Sequence, residues 1–170
     1  MNRETLQKEF AQLIAVQQKL IHGVCCLYYT SAEDRKDLFQ EIVFQLWKSY
    51  PAFKHQSKIS TWIYRIAINT VFTKIRKDKA LPKSEQISEQ VWQIADSDSY
   101  DSQETAAELY HAIRQLSETD RAIVMLYLDE HSYEEIAGIM QMSKTNISTR
   151  LNRIKSRLEK LLKQNSHEPR

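Results

Sequence analysis

Lys144, Thr145, Asn146, Thr149, Arg150, Arg153 and Arg157 crowd into one short window near the C-terminal end of a 170-residue chain. Arg and Asn side chains can pair bidentately with guanine and adenine edges, each good pair discriminating by about 1–3 kcal/mol. Arg and Lys that miss the bases neutralise phosphates and make binding steeply salt-dependent. The same window carries Ile147, Leu151, Ile154, Leu158 and Leu161 at helical spacing, which puts an apolar stripe on one face. Thr145, Thr149, Asn152 and Ser156 centre the opposite face, flanked by Asn146, Arg150, Arg153 and Arg157. Upstream, Ser132 followed by Glu135 marks one helix start, and Ser143 marks the next. A short capped helix, a tight turn and a second, basic helix is how a helix-turn-helix module enters a DNA major groove. A solvated basic helix packed on its neighbours would share the outer face. Cap, apolar spacing, short turn and basic face coincide here, which favours the DNA-reading arrangement.

No comparable constellation points to catalysis. Asp and Glu are numerous, but no pair sits beside a candidate nucleophile or a phosphate loop. His22, Cys25 and Cys26 lie within one helical turn, where three ligands converge poorly, and no further Cys completes a tetrahedral set. Buried thiols in a helix core are the better reading. His111, His131 and His167 are isolated. The expectation is a protein that is not an enzyme, with no metal, cofactor or small-molecule substrate.

The elements that must position the basic helix follow from composition and periodicity. Two glycines, three prolines and abundant Leu, Ile, Glu, Gln and Lys favour an all-α chain. Net charge is only +2. Its distribution is sharper: Lys74 to Lys83 holds five bases and one acid, Ser84 to Tyr110 seven acids and no base, and Ser143 to Lys163 seven bases and one acid. Two basic blocks around an acidic one point to two phosphate-facing surfaces. The longest apolar run, Ala122 to Leu128, is seven residues, and no apolar leader follows Met1, so neither membrane insertion nor export is expected. Adjacent Cys25 and Cys26 cannot staple distant segments, which fits a reducing, cytoplasmic compartment.

The pattern predicts two small helical domains joined by a flexible acidic linker, the C-terminal one a helix-turn-helix. In the first, residues 1–79, a helix over 3–29 carries Leu6, Phe10, Leu13, Leu20, Val24 and Leu27 at three-and-four spacing. Ser31 and Asp34 form a capping-box signature for a second helix that Pro51 closes. Its inner face is Leu38, Ile42 and Leu46, with Phe39 and Val43 beside them. A third helix over 59–79 would bury Ile59, Trp62, Ile63, Ile66 and Ala67. Residues 80–103 lack a period and read as linker. Helices over 104–116, 118–128, 133–140 and 144–163 make the second domain, 104–164, followed by a tail at 165–170. Ser117 with Asp120 repeats the capping-box signature.

Asp120 to Tyr127, Ser132 to Ala137 and Arg150 to Lys155 together resemble the C-terminal domain of an extracytoplasmic-function (ECF) sigma factor, of the sigma-70 family. That resemblance implies recognition of the promoter −35 element. The family often has Gly in the turn, where a left-handed backbone is needed, and here Gln141 stands there. Asp37 to Trp47 resembles the family's segment that docks on core RNA polymerase, implying contacts by Asp37, Gln40, Glu41, Phe44 and Gln45. An acidic, amide-rich helical face suits a basic partner helix. Phe53 to Asn69 is similar to the family's −10 segment, in which a loop captures a base flipped from the melted strand. Such capture needs a polar pocket, an apolar wall and nearby cations. Lys54, His55, Gln56, Ser57 and Lys58 supply the polar loop, Phe53 the wall and Asn69 an amide. Lys74, Arg76 and Lys77 can hold phosphates, and Arg65 either does so or forms an intramolecular ion pair. The resemblance further implies an anti-sigma factor that occludes these surfaces. Two other functions fit parts of the pattern: a stand-alone helix-turn-helix regulator, and a helical protein that sequesters a partner without touching DNA.

Overall fold

The computed structural model describes residues 2–80 and 100–166. Every regular element among them is helical: α1 (Arg3–Tyr28), α2 (Ala32–Ser49), a 3-10 turn (Tyr50–Ala52), α3 (Ile59–Ala80), α4 (Tyr100–Arg114), α5 (Glu118–Leu128), α6 (Tyr133–Met140) and α7 (Lys144–Asn165). They make two units, α1–α3 and α4–α7. The all-α, two-unit expectation holds. The expected linker falls mostly on residues 81–99, outside the described residues, and so do residues 167–170 of the expected tail. One boundary shifts: α4 begins at Tyr100, four positions before the expected start.

In the first unit α1, α2 and α3 pack pairwise around Ile21, Val24, Cys25, Leu38, Ile42, Leu46, Ile63, Ala67 and Val71, all fully buried. The inner face of α2 is the expected one. That of α3 is rotated. Thr61, Ile63, Tyr64, Ala67, Ile68, Thr70 and Val71 are buried, while Ile59, Trp62 and Ile66 are only half-buried. The apolar spacing of α3 fits two adjacent arcs of the helix, and contacts from both α1 and α2 select the arc centred on Ile63 and Ala67. Helix α1 has a character that run length does not show. Its apolar residues are interrupted by amides but by few charges, so by length and composition this helix could cross a membrane. Counting contiguous apolar runs misses that. In the fold, Phe10, Ile21, Val24, Cys25 and Leu27 are buried in the three-helix bundle instead.

In the second unit Ala112, Ile113 and Leu116 of the α4 end, Ile123 and Leu126 of α5, Ile136 and Ile139 of α6, and Ile147, Leu151 and Ile154 of α7 close one core. Of the three capping-box signatures, one is complete. The Ser132 hydroxyl accepts the Glu135 N–H at 3.1 Å, and the Ser132 N–H donates to Glu135 Oε2 at 2.8 Å. Ser31 and Ser117 accept the N–H groups of Asp34 and Asp120, without the return bond. The carboxylate of Asp is one methylene shorter than that of Glu, and Asp120 spends its carboxylate elsewhere, on Arg150.

Candidate nucleic-acid interface

The turn between α6 and α7 is set by Gln141, whose φ of 56° and ψ of 44° are left-handed. The N–H groups of Gln141 and Met142 both donate to Ala137 O, closing α6 and freeing the chain to reverse. Ser143 then caps α7 by accepting the Asn146 N–H at 3.1 Å. The left-handed position is therefore where the sequence put it, occupied by Gln at a cost of about 1–2 kcal/mol relative to Gly.

α7 buries Ile147, Leu151, Ile154 and Leu158, while Leu161 is half-buried. Lys144, Thr145, Asn146, Thr149, Asn152, Arg153, Ser156 and Arg157 are exposed on the other side. Asn152, Arg153, Arg157 and Lys160 border a shallow groove of about 610 Å³ along this face. Lys144 Nζ reaches Glu134 Oε1 at 3.0 Å across the turn, a solvent-exposed pair worth little.

Arg150 stands apart from the other candidates. Its Nη1 donates to Asp120 Oδ1 at 2.9 Å, and the two side chains are 29% and 27% exposed. That bond straps α7 to the first turn of α5. On the same helix Lys155 lies 4.4 Å over the Tyr127 ring, and hydrogen bonding to the Tyr127 hydroxyl, with a smaller contribution from Tyr133, pushes its pKa up. Asp120, Tyr127 and Lys155 thus fix how α7 is presented. No local spacing marks them, because each acts across about thirty residues of chain.

The first unit gathers the other candidates onto three neighbouring surfaces. Arg65, Asn69, Thr73 and Arg76 form one exposed stripe along α3. Thr73, absent from the sequence-derived set, donates to Asn69 O at 2.8 Å and accepts from Arg76 Nη2 at 3.4 Å. Arg65 forms no ion pair with another described residue. Lys74 is half-buried with Nζ 5.7 Å from the Tyr29 ring. It lines a groove of about 540 Å³ between α2 and α3, together with Lys77, Asn69, Asp37, Glu41 and Gln45. Two sets that are separate in sequence, the acidic face of α2 and the basic face of α3, thereby border one groove.

The five candidate docking residues on α2 divide between two flanks. Asp37, Glu41 and Gln45 face α3, with Gln45 Nε2 donating to Glu41 Oε1 at 2.8 Å. Gln40 and Phe44 border an apolar groove on the α1 side, with Phe10, Phe39, Val43 and Trp47. Phe44 is 54% exposed.

The loop ahead of α3 leaves Lys54, His55, Gln56, Ser57 and Lys58 exposed. Phe53 is half-buried and stacked on Trp62, with ring centroids 4.5 Å apart and planes 24° apart. His55 has a left-handed φ of 53°, and its ring lies 4.5 Å from that of Phe53.

Cys25 is fully buried, and burial pushes its thiol up to about 12. Cys26 is half-buried, with Arg35 Nη1 3.8 Å from its sulfur. His22 is exposed and stacks on Phe39 at 4.4 Å. Among the described residues no three His, Cys, Asp or Glu side chains are grouped to hold a metal.

A helix-turn-helix unit with a basic outer face, and a second unit with a basic stripe, a polar loop and an acidic helical face, point to a DNA-binding transcription protein. Comparison with known proteins gives the same class. The family description "Sigma-70 region 2" matches residues 13–80, and "Sigma-70, region 4" matches residues 106–158. The ECF RNA polymerase sigma factor SigW of Bacillus subtilis is 27% identical over 169 residues, covering 92% of this chain and 90% of that protein. The ECF RNA polymerase sigma-E factor of Escherichia coli is 27% identical over 170 residues, covering 90% and 86%. The fold is shared with the sigma factor RpoE of Bartonella quintana, solved in complex with the anti-sigma factor NepR, at a TM-score of 0.72, 23% identity and coverage of 92% and 98%. It is also shared with CnrH in complex with the cytosolic domain of CnrY, at a TM-score of 0.66, 18% identity and coverage of 93% and 90%. The chain belongs to the ECF sigma factors of the sigma-70 family. It is a transcription initiation factor that directs RNA polymerase to promoters.

Proposed function

We propose a division of labour among the surfaces described above. Residues 1–79 form the unit that docks on core RNA polymerase through Asp37, Gln40, Glu41, Phe44 and Gln45. The same unit takes a melted −10 base into the loop Phe53, Lys54, His55, Gln56, Ser57 and Lys58, while Arg65, Asn69, Lys74 and Arg76 hold the strand. Residues 104–164 read the −35 duplex through Lys144, Thr145, Asn146, Thr149, Arg153 and Arg157. Arg150 acts there mainly by fixing the helix. Residues 80–103 tether the two units, and 165–170 form a tail. The observation that carries this reading is the outer face of α7, where Arg153 and Arg157 are exposed beside Asn146 and Thr149 on a helix capped and turned as a recognition helix. Core enzyme supplies the spacing that lets two weak contacts act together. The protein acts in the cytoplasm, is no enzyme itself, and is held inactive by an anti-sigma factor that covers the same surfaces, as NepR accompanies RpoE in its solved complex.

Run-off transcription with core polymerase, on templates obtained by mapping where the holoenzyme initiates, tests the assignment. Arg153→Ala should relax −35 preference while melting persists on intact −10 sites. Replacing Lys54 to Lys58 with Gly and Ser should impair open complexes while −35 binding persists. The same defect from both changes would refute the division. A tight, symmetric footprint without polymerase would instead support the stand-alone regulator.

A further inference from the structure

The loop Phe53 to Lys58 is tied by backbone bonds at its ends, where the Phe53 N–H donates to Tyr50 O and the Trp62 N–H to Lys58 O. Between them the chain passes through a left-handed, non-glycine residue, His55. Such a conformation costs about 1 kcal/mol or more and persists only where neighbours over-determine it. The neighbours are rings. From Trp47 of α2, Phe10 of α1 lies 5.1 Å away, Tyr50 a further 5.3 Å, Trp62 of α3 6.2 Å, Phe53 4.5 Å and His55 4.5 Å. This ladder runs from the bundle to the loop tip without a break. Trp47 is half-buried at one end, Phe10 beside it is buried, and His55 is exposed at the other end.

We propose that Trp62 is a positioning residue for base capture. Its indole holds the Phe53 ring, and Phe53 with the strained His55 backbone keeps the loop in the shape that accepts an unpaired nucleobase of single-stranded DNA. Trp62 does not touch the base. A loop already ordered avoids the entropy of ordering on binding, and an aromatic wall already oriented offers its face to the base. Loss of the indole leaves the loop residues in place and removes what sets their arrangement. This inference rests on the −10 assignment of the loop.

The test uses the holoenzyme and a library of duplexes carrying a randomised single-stranded bubble, sequenced before and after binding. Wild-type holoenzyme should enrich one base at one bubble position by about tenfold, the discrimination expected when an oriented, flipped base is read by hydrogen bonds to its edge. Trp62→Leu should flatten that preference at that position alone, and Trp62→Phe, which retains a stacking ring, should restore most of it. Thermal melting of both variants and their affinity for core polymerase show whether the bundle is intact. A destabilised bundle would weaken core binding and lower recovery of every sequence, without selectively flattening one position. Trp62→Leu retaining the wild-type preference would overturn the inference. If replacing Lys54 to Lys58 with Gly and Ser also retained it, the −10 assignment of the loop would fall instead.

Discussion

Substituting Arg150 by Gln separates a strut from a phosphate contact, because the two roles leave different signatures. The guanidinium and the Asp120 carboxylate are 2.9 Å apart. At an effective dielectric near 20 their gross attraction is about 6 kcal/mol. Desolvation and side-chain ordering offset most of that. Exposed pairs net about 0–1 kcal/mol, whereas breaking a buried pair costs about 3–5 kcal/mol. With both side chains a little over a quarter exposed, this pair falls between those limits. Asp120 also sits in the first turn of α5, where the helix dipole favours an unpaired carboxylate and softens the loss. The expected cost of Arg150→Gln is therefore about 1–2 kcal/mol of stability in the C-terminal unit, or about 4–16 °C in its melting temperature. A cycle with Asp120→Asn should return a coupling energy of about 1 kcal/mol or more. Binding of the holoenzyme to a −35 duplex, measured across salt concentrations, supplies the second readout. A lost phosphate contact lowers the slope of log K against log salt by about 0.9. Arg153→Gln or Arg157→Gln should produce that change with little loss of stability, while Arg150→Gln leaves the slope intact. A reduced slope for Arg150→Gln, with unaltered melting and no coupling to Asp120, would refute the strut.

Gln141→Gly should stabilise the C-terminal unit by about 0.5–1 kcal/mol, since relief of the left-handed strain exceeds the extra freedom Gly gains when unfolded; urea melts would show it as a raised midpoint. Ser132→Ala should cost about 1 kcal/mol in the same measurement, as it removes one bond of the reciprocal cap. Leu46→Ala, at a fully buried position between three helices, should cost about 2–5 kcal/mol and loosen the first unit, with core binding lost in parallel. Cys25 has a folded pKa near 12 against an ordinary 9.0. The folded state therefore keeps a proton that the unfolded chain releases, and stability from this thiol, complete below pH 9, should fall as pH rises toward 12. Iodoacetamide at pH 8 should accordingly modify Cys26 first and Cys25 only on unfolding, with Cys25→Ser abolishing the high-pH loss.

The helices, the caps of α2, α5, α6 and α7, and the two basic segments are legible in the sequence. These are local properties: Ser132 and Glu135 sit one turn apart, the stripe from Ile147 to Leu158 repeats with the helix, and Gln141 occupies the left-handed position of the turn between α6 and α7. Motif resemblance over Asp37 to Asn69 and Asp120 to Lys155 then fixed the family. Which arc of α3 faces inward is set by packing, because Ile59, Trp62 and Ile66 are as apolar as Ile63 and Ala67, and contact with two other helices breaks the tie. The tertiary structure also decided the fate of Arg150, whose partner Asp120 lies thirty residues earlier, and of Trp62, freed from the core to stack on Phe53. Those choices depend on distances between helices, which no local spacing encodes.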